Sequence, residues 1–463
     1  MNTQLAENTA IKQDQSPNGD RNLSCKSLFL KWLVVDGPPL AGVLLVAALL
    51  RIGLALMVDY LAARRGSRCL FGDTEIYWQY GVAIAEGRPY VIYQWEVPHF
   101  ALRTPGYPVW LALFIKVLGT STIWIRLGQA GLGTLAVWWI YKLAKHLGFT
   151  ESTSRWSAVL LAIDPFQAMQ SGFLLTEALF APLLMLFLVR WVATLGDEHS
   201  DRPLLNHGLS NFSVGVCQAV LALIRPAWGP FLVVVLIVNS FYQLRLRQIS
   251  LRRAALMNLL LIAGWFVVVL PWVVRNEQVI GRAAIGGTWG GASLYDGVRP
   301  GANGSSVMSF VASDEFRHLT ETEQDDRWKS LSWQEIRTNP ERIARLAIAK
   351  QARFWSAWPL EQSANRWWLK LACGLVVWPV WLAGIVGLVS VPRKKRLSWA
   401  IFLCLPLLFT AMEHTLFVGS SRYRVAVFGP VLILSAEGVV YLLTRLQVFG
   451  LQLKSFADEP QNP

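Results

Sequence analysis

Apolar residues occur along this chain in runs of membrane length, parted by short polar segments. From Pro38 to about Tyr60 the chain is apolar apart from Arg51 and Asp59. At 1.5 Å per residue such a run crosses a hydrocarbon core of about 30 Å. Further runs cover Ile123–Lys142, Trp156–Gln170, Glu177–Leu195, Leu209–Ile224, Ala227–Tyr242, Leu256–Val274, Trp367–Val391, Trp399–Phe417 and Val425–Leu443. The pattern predicts an all-α polytopic membrane protein with ten transmembrane helices. The run from Pro108 to Gly119, about a dozen residues, is too short to span and is predicted to lie in or dip into the interface.

Reading Pro108–Gly119 as interfacial fixes the topology. Lys142, Lys145, His146 and Arg155, then Arg245, Arg247, Arg252 and Arg253, then Arg393-Lys394-Lys395-Arg396 all fall on one side, the cytoplasmic one by the positive-inside rule. Residues 1–37 and 446–463 become cytoplasmic tails, the first of them polar and disordered in composition. The first outer loop runs over 61–121, and residues 38–274 form the transmembrane core with that loop inserted. Residues 275–365 read as a small outer domain, because 275–361 holds eleven acidic and eleven basic residues where the inner segments 245–253 and 393–396 are purely basic. Within it Gly286–Gly291 reads as a loop. Asn339, Pro340 and Glu341 open a helix with Ile343, Leu346, Ala347 and Phe354 on one side, expected to lie along the membrane surface. Residues 366–445 carry the last spans.

Composition supports this reading: 54% of the 463 residues are hydrophobic and only 16% charged, too little charge to cover a soluble globule of this size. The net charge of +13 sits in the inner loops, so nucleic acid is not an expected partner; the lipid bilayer is. Many of the 22 Trp residues, Trp32, Trp110, Trp272, Trp367, Trp368 and Trp399 among them, fall near expected helix ends as interface anchors do. The five Cys residues are scattered, with only Cys69 in an expected outer loop, so no disulfide framework follows.

The chemistry concentrates on the outer side. The first outer loop holds Asp73, Glu75, Glu86, Glu96, His99, Arg88 and Arg103 among Tyr77, Trp78, Tyr80, Tyr90, Tyr93 and Trp95. The topology adds Glu177, Arg225, Arg275, Glu413, His414, Arg422, Tyr423 and Arg424. Ionisable groups at a membrane boundary tend to face one another or a wet cavity. Carboxylates beside several Arg residues suit deprotonation of an acceptor with stabilisation of a phosphate leaving group. Simpler roles stand beside these. Asp73 could be a helix N-cap, Glu177 could serve a helix dipole, and Arg103 and Arg225 could contact headgroups or the interface. Glu413 and His414 are adjacent on one helix and point about 100° apart.

Several separated stretches resemble the GT-C glycosyltransferases, the superfamily that includes protein O-mannosyltransferases of glycosyltransferase family 39 and the lipid A aminoarabinose transferase. They are Gly72-Asp73 with Tyr80 and Gly87-Arg-Pro-Tyr90, Arg103-Thr-Pro-Gly-Tyr-Pro108, Leu175-Thr-Glu-Ala-Leu-Phe180, Ile224-Arg-Pro226, Pro271-Trp-Val-Val-Arg-Asn276 leading to Gly290-Gly-Ala-Ser-Leu294, and Arg422-Tyr-Arg424. Thr104 stands where many relatives have Pro, and Thr74 follows Asp73 where protein O-mannosyltransferases carry Glu. The resemblance implies transfer of a sugar, with inversion, from a polyprenyl-phosphate carrier to a glycolipid, polysaccharide or protein acceptor at the outer face of a bacterial inner membrane. It makes Asp73 the general base or key catalytic carboxylate. With Asp73 go Glu177 as the second acidic residue and Arg103, Arg225, Arg422, Tyr423 and Arg424 as the donor-phosphate site. Glu96, His99, Arg275, Glu413 and His414 are further candidates. No cofactor or nucleotide is called for, and a divalent metal stays open. A polytopic transporter or lipid flippase is the alternative from a different class; its site would lie near the bilayer midplane.

Overall fold

The structure, a computed structural model, describes residues 37–67, 71–94, 97–196, 204–246, 249–360 and 366–457. Among them, eight helical segments are long and apolar enough to cross a membrane: Leu40–Arg64, Thr176–Leu195, His207–Ile224, Pro226–Arg245, Leu251–Ile280, Trp367–Ser390, Lys395–Glu413 and Ser421–Leu446. The chain is an integral membrane protein. The first of these, α1 (Leu40–Arg64), shows how such a helix is built. Its buried stripe is Val43, Ala47, Arg51, Ala55, Val58 and Ala62, mostly small residues that let neighbours approach, while Leu45, Leu49 and Leu56 face outward.

Two of the ten expected spans differ from simple apolar rods. Helix α4 (Thr122–His146) has the length, but it packs at the centre of the bundle and carries fully buried Arg126 and Gln129. The expected span Trp156–Gln170 is broken. Helix α5 (Glu151–Ile163) stops at Asp164, whose carboxylate accepts from the backbone of Phe166 and Gln167, and Pro165 opens the short helix α6 (Pro165–Gln170). A break in a bundle frees carbonyls that need donors. Arg51 supplies them, donating to Ala162 O at 3.0 Å and Leu161 O at 2.9 Å. That accounts for a buried arginine within an apolar helix.

Before α4 lie the elements of the first outer loop: α2 (Gly72–Ala85), a hairpin of β1 (Ile92–Gln94) and β2 (Val97–His99), and α3 (Gly106–Leu118). The hairpin pairs Ile92 with His99 and Gln94 with Val97. It is an addition to the all-α expectation, because three-residue strands carry no readable alternation. Its turn, with Glu96, lies outside the described residues. Helix α3 has 13 residues, short of a span, as expected for an interfacial helix.

The remaining core helices are α7 (Thr176–Gly196), α8 (Leu204–Ile224), α9 (Phe231–Phe241) and α10 (Leu251–Ile280). Helices α8 and α10 touch backbone to backbone: a Cβ on Gly215 would collide with Leu261 O. Helix α10 continues past Arg275 and ends on the left-handed Gly281. Beyond it come α11 (Gly290–Val298), α12 (Asp314–Arg317), α13 (Glu321–Thr338) and α14 (Pro340–Phe354), around a small core of Ala292, Val311, Phe316 and Trp328. Helix α14 begins at Pro340 as expected, and one of its cations turns inward. Lys350 lies on the buried side with Ile343, Leu346 and Phe354. Its ammonium donates to Thr415 O and Leu416 O, at 3.1 and 2.6 Å, so α14 docks on the protein along this side. The chain closes with α15 (Trp367–Ser390), α16 (Arg393–Trp399), α17 (Leu405–Glu413), α18 (Ser421–Phe428) and α19 (Leu432–Ala457).

Candidate active site

Four helix ends converge on one cavity. Asp73 lies in the first turn of α2, after Phe71 in extended conformation. It stands two residues beyond Phe71, which occupies the N-cap position, so the N-cap role does not describe it. Glu177 opens α7. Arg225 follows α8 at an extended residue (φ −135°, ψ 99°) before the turn Pro226–Trp228. Arg422 lies in the first turn of α18, which Ser420 caps by accepting from Arg422 N. Arg103 arrives from the loop between the hairpin and α3.

The charges alternate. Arg103 Nη2 is 3.1 Å from Asp73 Oδ1, and Arg422 Nη2 is 3.7 Å from Asp73 Oδ2. Arg422 also donates to Glu177 through Nε (2.5 Å to Oε1) and Nη2 (3.3 Å to Oε2), while Arg225 Nη1 approaches Glu177 Oε1 at 3.6 Å. Glu177 is 2% exposed and Asp73 43%, so the first is the buried hub and the second its solvent-open partner. A buried carboxylate is tolerated when paired and hydrogen-bonded, and the two-point contact from Arg422 supplies this.

Aromatic rings hold the guanidinium groups in place. Arg103 lies over Trp289 at 4.6 Å and Tyr77 at 5.7 Å, Arg225 over Tyr423 at 5.1 Å and Phe180 at 5.5 Å, and Arg422 over Phe71 at 5.7 Å. Burial pushes the Tyr77 hydroxyl up to about 12, with Arg103 acting against it, so it stays protonated. His414 caps α17. Its ring stacks on Tyr423 at 4.2 Å, and Nδ1 lies 2.7 Å from Val418 O. A carbonyl only accepts, so that nitrogen carries the proton. Burial, aided by Arg225, lowers His414 to about 3.

Asp73, Arg103, Glu177, Arg225, Glu413, His414, Arg422 and Tyr423 all line this cavity, whose empty volume is about 1640 Å³. A second, mostly apolar groove of about 1420 Å³ runs beside it between α6, α15 and α18, lined by Phe71, Phe166, Phe173, Leu369, Cys373 and Val376. Glu177 and Arg422 belong to the walls of both. A charged chamber and an apolar groove thus meet at one ion pair.

Three sequence candidates lie elsewhere. Arg424 donates to Phe354 O (3.0 Å) and Ser356 O (2.6 Å) and rests on Trp381; it borders the apolar groove. Arg275 donates to Phe100 O at 2.7 Å and Tyr90 O at 2.9 Å, bracing the first outer loop from behind. His99 is fully buried, 3.9 Å from Glu321, and burial pushes it down to about 4. Glu96 is outside the described residues. Sequence reasoning missed Trp289 and Glu321. Glu321 accepts from Phe100 N, Ala101 N and Thr288 Oγ1 at 2.8, 3.1 and 2.9 Å, tying the outer domain to the loop that carries Arg103. Glu321 is the N1 residue of an acid-rich helix start, which has no distinguishing mark in sequence. Among the described residues, no three His, Cys, Asp or Glu side chains converge as a metal-binding group.

Among known proteins, no family model matches the chain and no curated protein matches by sequence. Solved structures do match. The archaeal oligosaccharyltransferase AglB from Archaeoglobus fulgidus, in complex with an inhibitory peptide and a dolichol-phosphate, is 15% identical with a TM-score of 0.54, over 92% of this chain and 52% of that one. The Archaeoglobus fulgidus oligosaccharyltransferase tethered to an acceptor peptide containing the NVT sequon is 12% identical, again with a TM-score of 0.54 over 92% and 52%. ArnT from Cupriavidus metallidurans bound to undecaprenyl phosphate is 14% identical, with a TM-score of 0.34 over 84% and 77%. This chain spans about half the length of the oligosaccharyltransferases it matches. Their likeness shows that the chain has the GT-C transmembrane fold, as its motifs imply.

Proposed function

We propose that this GT-C-fold chain transfers a sugar from a polyprenyl-phosphate carrier to a glycolipid, polysaccharide or protein acceptor at the outer face of a bacterial cytoplasmic membrane, with inversion. The observation that carries this is the meeting of the apolar groove and the charged cavity at Glu177 and Arg422. A lipid-linked sugar phosphate has the matching shape: a long hydrocarbon, then an anion, then a polar group. A fold shared with a protein whose structure holds dolichol-phosphate supports the same reading.

In this reading the isoprenoid chain lies in the groove and the phosphate faces Arg422, Arg225 and Arg103. Guanidinium groups suit a phosphate because their planar N–H pairs match its oxygens, and fixed cations stabilise the charge that grows as the sugar departs. Asp73 and Glu177 orient those cations. Of the two roles the sequence leaves Asp73, general base or another key carboxylate, its engagement with both Arg103 and Arg422 supports the second. Tyr423 sets the position of Arg225 and, through stacking, of His414.

The test compares cell-envelope glycans and glycolipids of the wild type, a deletion strain and Asp73→Asn. The deletion should lose at least one glycoconjugate, and Asp73→Asn, inserted normally, should lose the same one. An unchanged profile in the deletion strain would defeat the proposal.

A further inference from the structure

We infer that Glu413 is the proton acceptor for the incoming acceptor hydroxyl. The inference rests on the sugar-transfer reading above. A general base needs an oxygen free to take a proton, placed where substrate can reach it. Four carboxylates line the cavity: Asp73, Glu177, Asp296 and Glu413. Asp73 is held by Arg103 and Arg422, and Glu177 by Arg422 and Arg225. Asp296 accepts from Val307 N at 2.9 Å and Ser306 Oγ at 2.6 Å, with Arg299 at 3.9 Å, so its lone pairs hold the loop around residue 306 to α11. Glu413 alone has neither a side-chain hydrogen bond nor an ion pair among the described residues.

Its position is set by the end of α17. The helix stops at Glu413, His414 caps it, and Lys350 holds the following carbonyls of Thr415 and Leu416 from α14. The backbone is thereby fixed while the carboxylate is left open to the cavity. Neighbouring His414 is a poor substitute, since its Nδ1 is committed to Val418 O and its ring lies between Tyr423 and Phe354.

The step balances without a further reactant. The acceptor oxygen bonds to the anomeric carbon and its proton passes to Glu413. The bond from that carbon to the carrier phosphate breaks, and its electron pair leaves on the phosphate facing the three arginines. The products are the glycosylated acceptor, polyprenyl phosphate and protonated Glu413, which returns its proton to water.

The experiment uses the full chain in the deletion strain, with purified protein in lipid nanodiscs for binding of undecaprenyl phosphate. Glu413→Gln keeps the shape and removes the basic oxygen. It should slow restoration of the lost glycoconjugate by about 100-fold or more, with undecaprenyl phosphate binding unchanged. Transfer at the wild-type rate would overturn the assignment of Glu413 alone. A deletion strain that lost no glycoconjugate would overturn the sugar-transfer reading and this assignment together. Glu413→Ala with added sodium formate separates base from scaffold, and decides the matter if Glu413→Gln fails to accumulate. Recovery that rises with formate supports a proton acceptor, and no recovery overturns it.

Discussion

Glu177 and Asp73 carry the same charge into the same cavity, yet their removal should cost different things. Glu177 is buried and faces two guanidinium groups, so Glu177→Gln leaves Arg422 and Arg225 in a low-dielectric wall with one charge too few. Breaking a buried pair from one side costs about 3–5 kcal/mol. Asp73 is partly open to water, and Arg103, its nearer partner, keeps the rings of Trp289 and Tyr77 when the carboxylate goes. Thermal unfolding in detergent should therefore separate the two: Glu177→Gln loses stability and activity together, while Asp73→Asn loses activity with its melting point close to wild type. Equal melting points would show that Glu177 is not the structural hub its burial implies. The two residues look alike in sequence, each an acid near a helix start. The difference arises only where Arg422, 245 positions further on, meets Glu177.

At the scale of elements, the hairpin and the first turn of α13 form a clamp on the loop that carries Arg103. Glu321 holds Phe100 N and Ala101 N, and His99 is sealed beneath, with no hydrogen-bond partner for either ring nitrogen among the described residues. Burial lowers His99 from 6.5 to about 4, so the unfolded chain binds more protons than the folded one between those values. Stability is then full above pH 6.5 and lost as pH falls toward 4, by about 3 kcal/mol in all. His99→Leu has no proton to gain and no polar atom to strand. Its melting temperature should fall less than the wild type's between pH 6.5 and 4, as a thermal-shift series would read; parallel curves would rule the histidine out as the cause. Little of this clamp was legible. The long apolar runs declare their helices because the bilayer demands length and hydrophobicity. The three-residue strands are too short to show an alternation, and the groups that satisfy the break at Asp164-Pro165 and bury Lys350 lie far away in sequence.

For the whole molecule, the membrane fold and most of the polar cavity could be read from the chain because both rest on order: apolar runs set the helices, and charged motifs at their ends gather at one face. Asp73, Arg103, Glu177, Arg225, Glu413, His414, Arg422 and Tyr423 do line one cavity, whereas His99, Arg275 and Arg424 serve packing around it. The apolar groove left no such trace, since residues facing a lipid-sized groove and residues facing the bilayer are the same types. Its connection to the cavity makes a prediction about the molecule as a unit. Ala372 lies in the groove wall and Arg103 in the cavity wall, and neither belongs to the other's lining. If one amphiphile occupies both spaces, Ala372→Trp should weaken binding of undecaprenyl phosphate and of undecaprenol alike, because it takes up room needed by the hydrocarbon. Arg103→Gln should weaken only the phosphate, since the alcohol brings no anion to its guanidinium. Binding to protein in nanodiscs, followed by tryptophan fluorescence, reads both. Two independent pockets would give another pattern, in which Ala372→Trp leaves the phosphate-bearing lipid bound as tightly as before.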